Sequence, residues 1–299
     1  MGAADVIPGV SGGTIAFITD IYEELIDSLK SINLPNLKLL FSGEFKKFWE
    51  AINGNFLIAL FGGVLISLLS LARLFHYLLH NHPIQIWSFF FGLILISSLW
   101  VLNTITKWNY IVVICTVLGV GIAYLITSAT PATTPEHPVF IFLSGAIAIC
   151  AMILPGISGS FILLILGKYE YILSALKDLN IPIILLFGAG CIAGLLSFVR
   201  VVSWFLKKFH HQTIGLLAGF MVGSLYKIWP WKKTLSFITD SKGVQMPLVQ
   251  ENIMPTHYLA ESGKDPHLLP ALFFFAIGII IVISLEKIAK YLKESKKYA

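Results

Sequence analysis

Apolar residues run along this chain in blocks rather than in alternation. Six blocks, near 55–79, 84–105, 108–127, 182–206, 212–229 and 268–288, are almost free of charge. A bilayer-crossing helix needs about 20 mostly apolar residues, so each block predicts a transmembrane span. Two further apolar stretches, 1–30 and 138–177, are interrupted. Residues 7–13 read IPGVSGG and residues 154–160 read LPGISGS. Pro8 and Pro155 each remove a backbone donor, and Gly9 and Gly156 permit a tight reversal. Each stretch therefore predicts two short helices meeting at a loop, a re-entrant hairpin. A bilayer tolerates such a loop only where protein or a water-filled cavity surrounds it.

The interruption occurs twice in register. Pro8, Gly9, Ser11, Gly12, Ile15, Ile18, Tyr22, Glu23, Leu29 and Lys30 recur as Pro155, Gly156, Ser158, Gly159, Ile162, Ile165, Tyr169, Glu170, Leu176 and Lys177, each 147 positions on. Gly63, Leu68, Leu69, Ser70, Arg73, Leu79, Gly92 and Ser97 match Gly190, Leu195, Leu196, Ser197, Arg200, Leu206, Gly219 and Ser224 at an offset of 127. The offset drops because a polar stretch, 31–53, is reduced to 178–181 in the second half. Each half thus predicts one hairpin and three spans. Three crossings are an odd number, so the second copy is expected upside down, the inverted-repeat design of many transporters. The expected fold is an all-α integral membrane protein with two inverted-topology repeats, 1–128 and 129–299. The first holds hairpin 1–30 and a cytoplasmic insertion, 31–53. The second holds hairpin 138–177, an outer loop, 230–267, and a cytoplasmic tail, 289–299. The second hairpin has an apolar arm, 139–153, ahead of its break. The first has only residues 1–6, so its arm is either cut short or missing.

Composition agrees. The chain has 299 residues, of which 57% are hydrophobic and 12% charged, where a soluble domain carries about 25% charged residues. Mean hydropathy is +0.83. The net charge of +5 tracks position. Placing Lys287, Lys290, Lys293, Lys296 and Lys297 in the cytoplasm leaves the other inward loops with Lys207, Lys208, Lys107, Lys30, Lys38, Lys46 and Lys47, as the positive-inside rule requires. The bacterial cytoplasmic membrane, with a cytoplasmic C-terminus, is the expected location. Nothing suggests nucleic acid or a cofactor. Cys115, Cys150 and Cys191 lack metal-ligand spacing and read as small apolar packing residues. Gly188, Gly190 and Gly194 form a small-residue stripe that permits close helix packing, within the protomer or in a homo-oligomer.

Three groups of residues could carry chemistry. Ser11, Gly12, Gly13 and Thr14, and Ser158, Gly159 and Ser160, each open a helix after the break, where unpaired N–H groups attract anions. Arg73 and Arg200 are the only arginines. They occupy matching positions inside apolar spans, where arginine is costly and ordinarily faces a cavity or partner, and the guanidinium fork suits phosphate. Snorkelling to the headgroups is the alternative. Tyr22 with Glu23, and Tyr169 with Glu170, are candidate gating or proton-coupling pairs; salt bridges to Lys30 or Lys177 are the alternative for the glutamates. Asp5, whose counterpart is Met152, is a candidate embedded acid. The run GVSGG also fits a serine-hydrolase signature, but no histidine has a repeat counterpart beside a serine. A channel or small-anion transporter, built on the same helix ends, stays open.

The segment MGAADVIPGVSGGTIAFITDIYEELI, with its echo ILPGISGSFILLILGKYEYIL, resembles a bacterial and archaeal family of polyprenyl-phosphate (undecaprenyl-phosphate) translocases, formerly a domain of unknown function. The resemblance covers essentially the whole chain. It implies transport of undecaprenyl phosphate, the lipid carrier of peptidoglycan and other envelope glycans, from the outer to the inner leaflet. For such a substrate the residues themselves suggest a phosphate site between Ser11-Gly12-Gly13 and Ser158-Gly159-Ser160, met by Arg73 and Arg200, with rocking of the inverted halves, coupled to protons or sodium, as the expected movement.

Overall fold

The computed structural model describes residues 1–5, 11–132, 134–239 and 245–297. The elements are α1 (Gly2–Asp5), α2 (Gly12–Ile18), α3 (Tyr22–Lys30), α4 (Leu34–Phe41), α5 (Phe45–Ala51), α6 (Gly54–Asn81), α7 (Pro83–Asn103), α8 (Tyr110–Ser128), α9 (Pro138–Ile153), α10 (Gly159–Ile165), α11 (Tyr169–Lys177), α12 (Ile181–Lys208), α13 (His210–Ser224), β1 (Lys232–Thr239), β2 (Gln245–Asn252), α14 (Pro255–Ser262) and α15 (Leu268–Lys297). Among the described residues five helices, α6, α7, α8, α12 and α15, are long and apolar enough to cross a bilayer, and the bent pair of α10 and α11 would make a sixth if counted as one span. The expected span at 212–229 is the exception. Its helix, α13, has 15 residues, about 22 Å at 1.5 Å per residue, short of a hydrocarbon core of about 30 Å. The chain turns out of the helix at Leu225, before Pro230 and the loop that follows.

The fold is helical, and among the described residues the loop between α13 and α15 adds one small exception. Its strands β1 and β2 pair antiparallel from Lys232↔Asn252 to Thr239↔Gln245, and α14 follows. Two indoles tie this cap down: Trp229 Nε1 donates to the Ile253 carbonyl and Trp231 Nε1 to the Pro266 carbonyl, both at 2.9 Å. A small core of Ile84, Trp231, Ile253, Tyr258 and Ala271 joins it to α7 and α15. The polar insertion 31–53 folds into α4 and α5, whose residues are all at least partly exposed.

Element lengths recur between the halves: seven residues for α2 and α10, nine for α3 and α11, 28 for α6 and α12. The junctions recur too. Asp20 (φ 58°) and Gly167 (φ 63°) occupy the left-handed region at matched positions. Ile21 N donates to the Ala16 carbonyl at 3.0 Å, and its counterpart Lys168 N to the Leu163 carbonyl at 2.8 Å. Helices α10 and α11 meet at 111°. A strap from the preceding loop fixes that bend. Ala132 N donates to the Ile165 carbonyl (2.8 Å), Thr134 Oγ1 to the Leu166 carbonyl (2.6 Å), and the buried Lys168 ammonium to the Thr134 carbonyl (2.6 Å).

Two of the helix crossings that join the halves share one design: α7 packs on α15, and α8 on α13. At the first, a Cβ on Gly92 would strike the Phe275 carbonyl, and one on Gly278 the Phe89 carbonyl. At the second, Gly119 faces the Leu216 carbonyl and Gly219 the Thr116 carbonyl. In all four cases the opposed carbonyl lies three residues before the partner glycine. Small residues let backbones approach this closely where lipid offers no hydrophobic drive for association. The rule recurs between α9 and α12, where Gly145 faces the Phe187 carbonyl and Gly190 that of Phe142. Within the small-residue stripe, Gly190 and Gly194 are thus taken up inside the protomer by α9, while Gly188 faces open space. Cys150 and Cys191 lie at the same crossing, pointing their thiols at the Gly194 and Gly145 carbonyls.

Candidate functional site

Ser11 and Ser158 cap α2 and α10 in nearly identical extended conformations (φ −112°, ψ 134° and φ −106°, ψ 139°). Ser11 Oγ accepts from Gly13 N at 3.1 Å and Ser158 Oγ from Phe161 N at 3.2 Å. Both serines are buried, as is Thr14.

The two interruptions meet. The Ser11 hydroxyl donates to the Leu154 carbonyl at 3.0 Å, with the Met152 carbonyl at 3.2 Å. In return, Gly156 N donates to Thr14 Oγ1 at 3.0 Å. Gly13 packs so closely that a Cβ would lie 2.6 Å from the Ile153 carbonyl. Gly156 turns the second loop at φ +87° and abuts α13, where a Cβ would lie 2.8 Å from the Phe220 carbonyl and 2.9 Å from Ser224 Oγ. Pro155 is buried beside it. Pro8 and Gly9, the matching pair, lie outside the described residues. Gly159 packs against the Ala148 carbonyl, and Ser160 Oγ lies 3.0 Å from Ser158 Oγ.

One carboxyl group is already at a helix start. Gly12 N donates to Asp5 Oδ1 at 2.7 Å. The Ser11 hydroxyl proton is directed to main-chain carbonyls, with no histidine among its hydrogen-bond partners, an arrangement for holding backbone rather than for nucleophilic attack.

The arginines hold the same register, the twentieth residue of their 28-residue helices, but the structure brings neither into hydrogen-bond contact with the capping serines. Arg73 is exposed and has no hydrogen-bond or ion-pair partner among the described residues. Arg200 is also exposed and donates to the Leu196 carbonyl one turn back, at 2.9 Å. It lines an open cleft of about 350 Å³ with Asp27, Lys30, Ser31, Asn33 and Lys207.

That cleft contains a latch that sequence reading missed. Lys207 Nζ lies 2.9 Å from Asp27 Oδ2, the Ser203 hydroxyl donates to Asp27 Oδ1 at 2.9 Å, and Lys30 donates to Ser203 Oγ at 3.0 Å. It ties α3 of the first half to α12 of the second. Burial pushes the Asp27 carboxyl up. The hydrogen bonds from Lys207 and Ser203 and the charges of Lys207 and Lys30 outweigh this and hold it below the ordinary carboxylate value. Asp27 maps onto Ser174 in the second half, so the repeat gives no signal for it.

The gating candidates separate. Glu23 faces His210 at 3.5 Å rather than Lys30. Tyr22 is buried with its ring centroid 4.2 Å from that of Phe17, and its hydroxyl has no partner among the described residues. Tyr169 and Glu170 are half-buried on α11, and Glu170 has no ion pair among the described residues.

Comparison with known proteins agrees with the resemblance. Residues 1–246 match the family described as VCA0040-like, undecaprenyl phosphate translocase-like. The chain is 46% identical, over 290 residues, to a polyprenyl-phosphate transporter of Vibrio cholerae serotype O1; the match covers 97% of this chain and 94% of that one. It is 34% identical over 253 residues to a polyprenyl-phosphate transporter of Staphylococcus aureus, covering 77% and 83%. No solved structure matches. These names describe transporters, not enzymes, and the apolar helices make this a multi-span membrane protein. The chain belongs to the undecaprenyl phosphate translocase-like family.

Proposed function

We propose that this protein carries a polyprenyl phosphate of the undecaprenyl class from the outer to the inner leaflet of the bacterial cytoplasmic membrane, by alternating access of two inverted halves. The C-terminus lies in the cytoplasm. The prenyl tail stays in lipid, and the charged head crosses between Ser11, Gly12, Gly13 and Thr14 on one side and Ser158, Gly159 and Ser160 on the other. Pro8 with Gly9, and Pro155 with Gly156, make the breaks by ending the helices there. Arg200, beside Lys30 and Lys207, receives the head at one face. Arg73 takes the equivalent part when the halves exchange conformation.

The observation that carries this reading is the hydrogen-bonded contact of the two breaks, Ser11 to Leu154 and Thr14 to Gly156. Backbone irregularities from both halves converge where a bilayer would otherwise forbid them. Asp5 couples the cycle. Its carboxylate sits where a phosphate oxygen would accept from Gly12 N, so a proton or sodium ion on Asp5 frees the donor for the substrate. Tyr22, Glu23, Tyr169 and Glu170 gate the two mouths.

The test uses proteoliposomes loaded with radiolabelled prenyl phosphate, with a membrane-impermeant phosphatase added outside. Protein-dependent hydrolysis of the entire pool is expected. Hydrolysis that stops at the outer-leaflet pool, with or without protein, overturns the proposal. Efflux of inorganic phosphate at comparable rates would indicate a small-anion transporter instead.

A further inference from the structure

Two half-buried lysines of the loop after α13 lie over aromatic rings. Lys227 stands in the turn that follows Ser224, its N–H donating to the Ser224 carbonyl at 2.9 Å. Its ammonium lies 4.4 Å from the centroid of the Phe161 ring. Phe161 is the residue whose N–H Ser158 caps, and Ser224 is the residue against which Gly156 packs. Lys227 therefore borders the second break on two sides. The Lys232 ammonium lies 4.4 Å from the centroid of the Trp87 ring and donates to the Lys227 carbonyl.

Neither lysine has a carboxylate partner among the described residues. Removal from water, and then the neighbouring Lys227 charge, hold the Lys232 ammonium well below the ordinary lysine value. Aromatic faces and one carbonyl are weak compensation for two half-buried ammonium groups, each disfavoured by its surroundings. Such a pair is stabilised by an anion. A phosphate monoester, with close to two negative charges near neutral pH, matches two ammonium groups.

Beside the pair lies an apolar cleft of about 390 Å³, lined by Phe91, Tyr226, Trp229 and Met254 among others. It is anchored on the same loop, since Asn252 Nδ2 donates to the Tyr226 carbonyl at 2.7 Å. The Arg200 cleft, by contrast, involves Lys207, which precedes α13, while Lys227 follows it. The two cation clusters therefore stand at opposite ends of that helix, about 22 Å apart along its axis.

We propose that Lys227 and Lys232 form a second phosphate station, at the end of α13 remote from Arg200, and that the aromatic cleft beside them holds the first isoprenoid units of the same lipid. This rests on the lipid-phosphate reading of the protein. It adds the residues that hold the substrate where it enters or leaves the second break. Free phosphate shares the headgroup chemistry, and the apolar cleft selects the lipid.

The test uses the full chain in nanodiscs of neutral phosphatidylcholine, with geranylgeranyl phosphate, geranylgeraniol and inorganic phosphate as probes. The expected result is that the prenyl phosphate binds well above the other two. Lys227→Gln with Lys232→Gln should weaken it about tenfold or more, while Lys227→Arg with Lys232→Arg should keep most of the affinity. Equal binding by the Gln variant and the unaltered protein overturns the station and leaves the transport reading intact. No binding by the unaltered protein overturns the transport reading itself. Binding of the alcohol as tight as that of the phosphate overturns the role of the lysines, and equal binding of inorganic phosphate overturns that of the cleft. Should the Gln variant fail to fold, a diazirine-bearing prenyl phosphate on the unaltered protein decides. Labels within 225–232 and 252–254 support the station, and labels confined elsewhere overturn it.

Discussion

Ser11 and Leu154 stand 143 positions apart in the chain and 3.0 Å apart in space, the serine hydroxyl donating to the leucine carbonyl. The same hydroxyl oxygen caps α2 by accepting from Gly13 N. One side chain therefore holds a helix start and a contact between halves. Ser11→Ala should cost about 1–3 kcal/mol, since a lost cap and a lost buried hydrogen bond each cost about 1 kcal/mol or more. A lowered melting temperature with slowed prenyl-phosphate transfer is the expected outcome. An unchanged melting curve would mean the contact contributes nothing.

The glycine crossings yield a paired prediction. Gly219→Ala places a methyl group against the Thr116 carbonyl, and such overpacking costs about 1–3 kcal/mol. Gly63→Ala meets nothing within 4 Å and should be neutral or slightly stabilising, as alanine favours helix over glycine by about 1 kcal/mol. Thermal melting in one detergent ranks the two; a reversed order refutes the packing account.

Arg73 and Arg200 are both exposed, so Arg73→Ala and Arg200→Ala should leave stability nearly unchanged, within about 0.5 kcal/mol. Transfer rates should fall about tenfold or more in each, with lysine restoring only part, because an ammonium lacks the bidentate fork. Proteoliposome transfer rates at matched protein levels decide this. Full activity in either alanine variant would remove that arginine from the phosphate path.

The latch between Asp27 and Lys207 is half-exposed, with the two side chains 48% and 62% accessible. Its coupling should therefore stay below about 1 kcal/mol in a double-mutant cycle. The Asp27 carboxyl is held below its ordinary value here, so its contribution is complete above the ordinary carboxylate range, about pH 4. It is lost as the pH falls through the lowered value. Cycles of Asp27→Asn and Lys207→Gln at neutral and at strongly acid pH measure it. Coupling that persists after protonation would contradict an ionic latch.

Five of the six expected spans and the interruption at Pro155-Gly156 were legible because each rests on local pattern. Apolar length marks a span, Pro-Gly marks an interruption, and Gly92 and Gly219 hold equivalent positions because a backbone presses on both. The β-hairpin was not legible. Its strands, KKTLSFIT and QMPLVQEN, sit in the loop 230–267, where pairing depends on contacts between segments that local pattern does not show. The shortness of α13 was hidden because apolar residues run on past Ser224 into a turn. Arg200 was expected at the breaks and lines the Asp27 cleft instead, since its direction depends on how α3 docks against α12. Lys227, inside the expected span 212–229, and Lys232, in the loop after it, carried no signal, because the rings of Phe161 and Trp87 beneath them are 66 and 145 positions away.

The paired crossings at Gly92 with Gly278 and at Gly119 with Gly219 bear on how the protein moves. Where backbone touches backbone with no side chain between, neither helix can slide along its partner without parting the contact, so relative movement of these helix pairs is restricted to a swivel about the touching glycines.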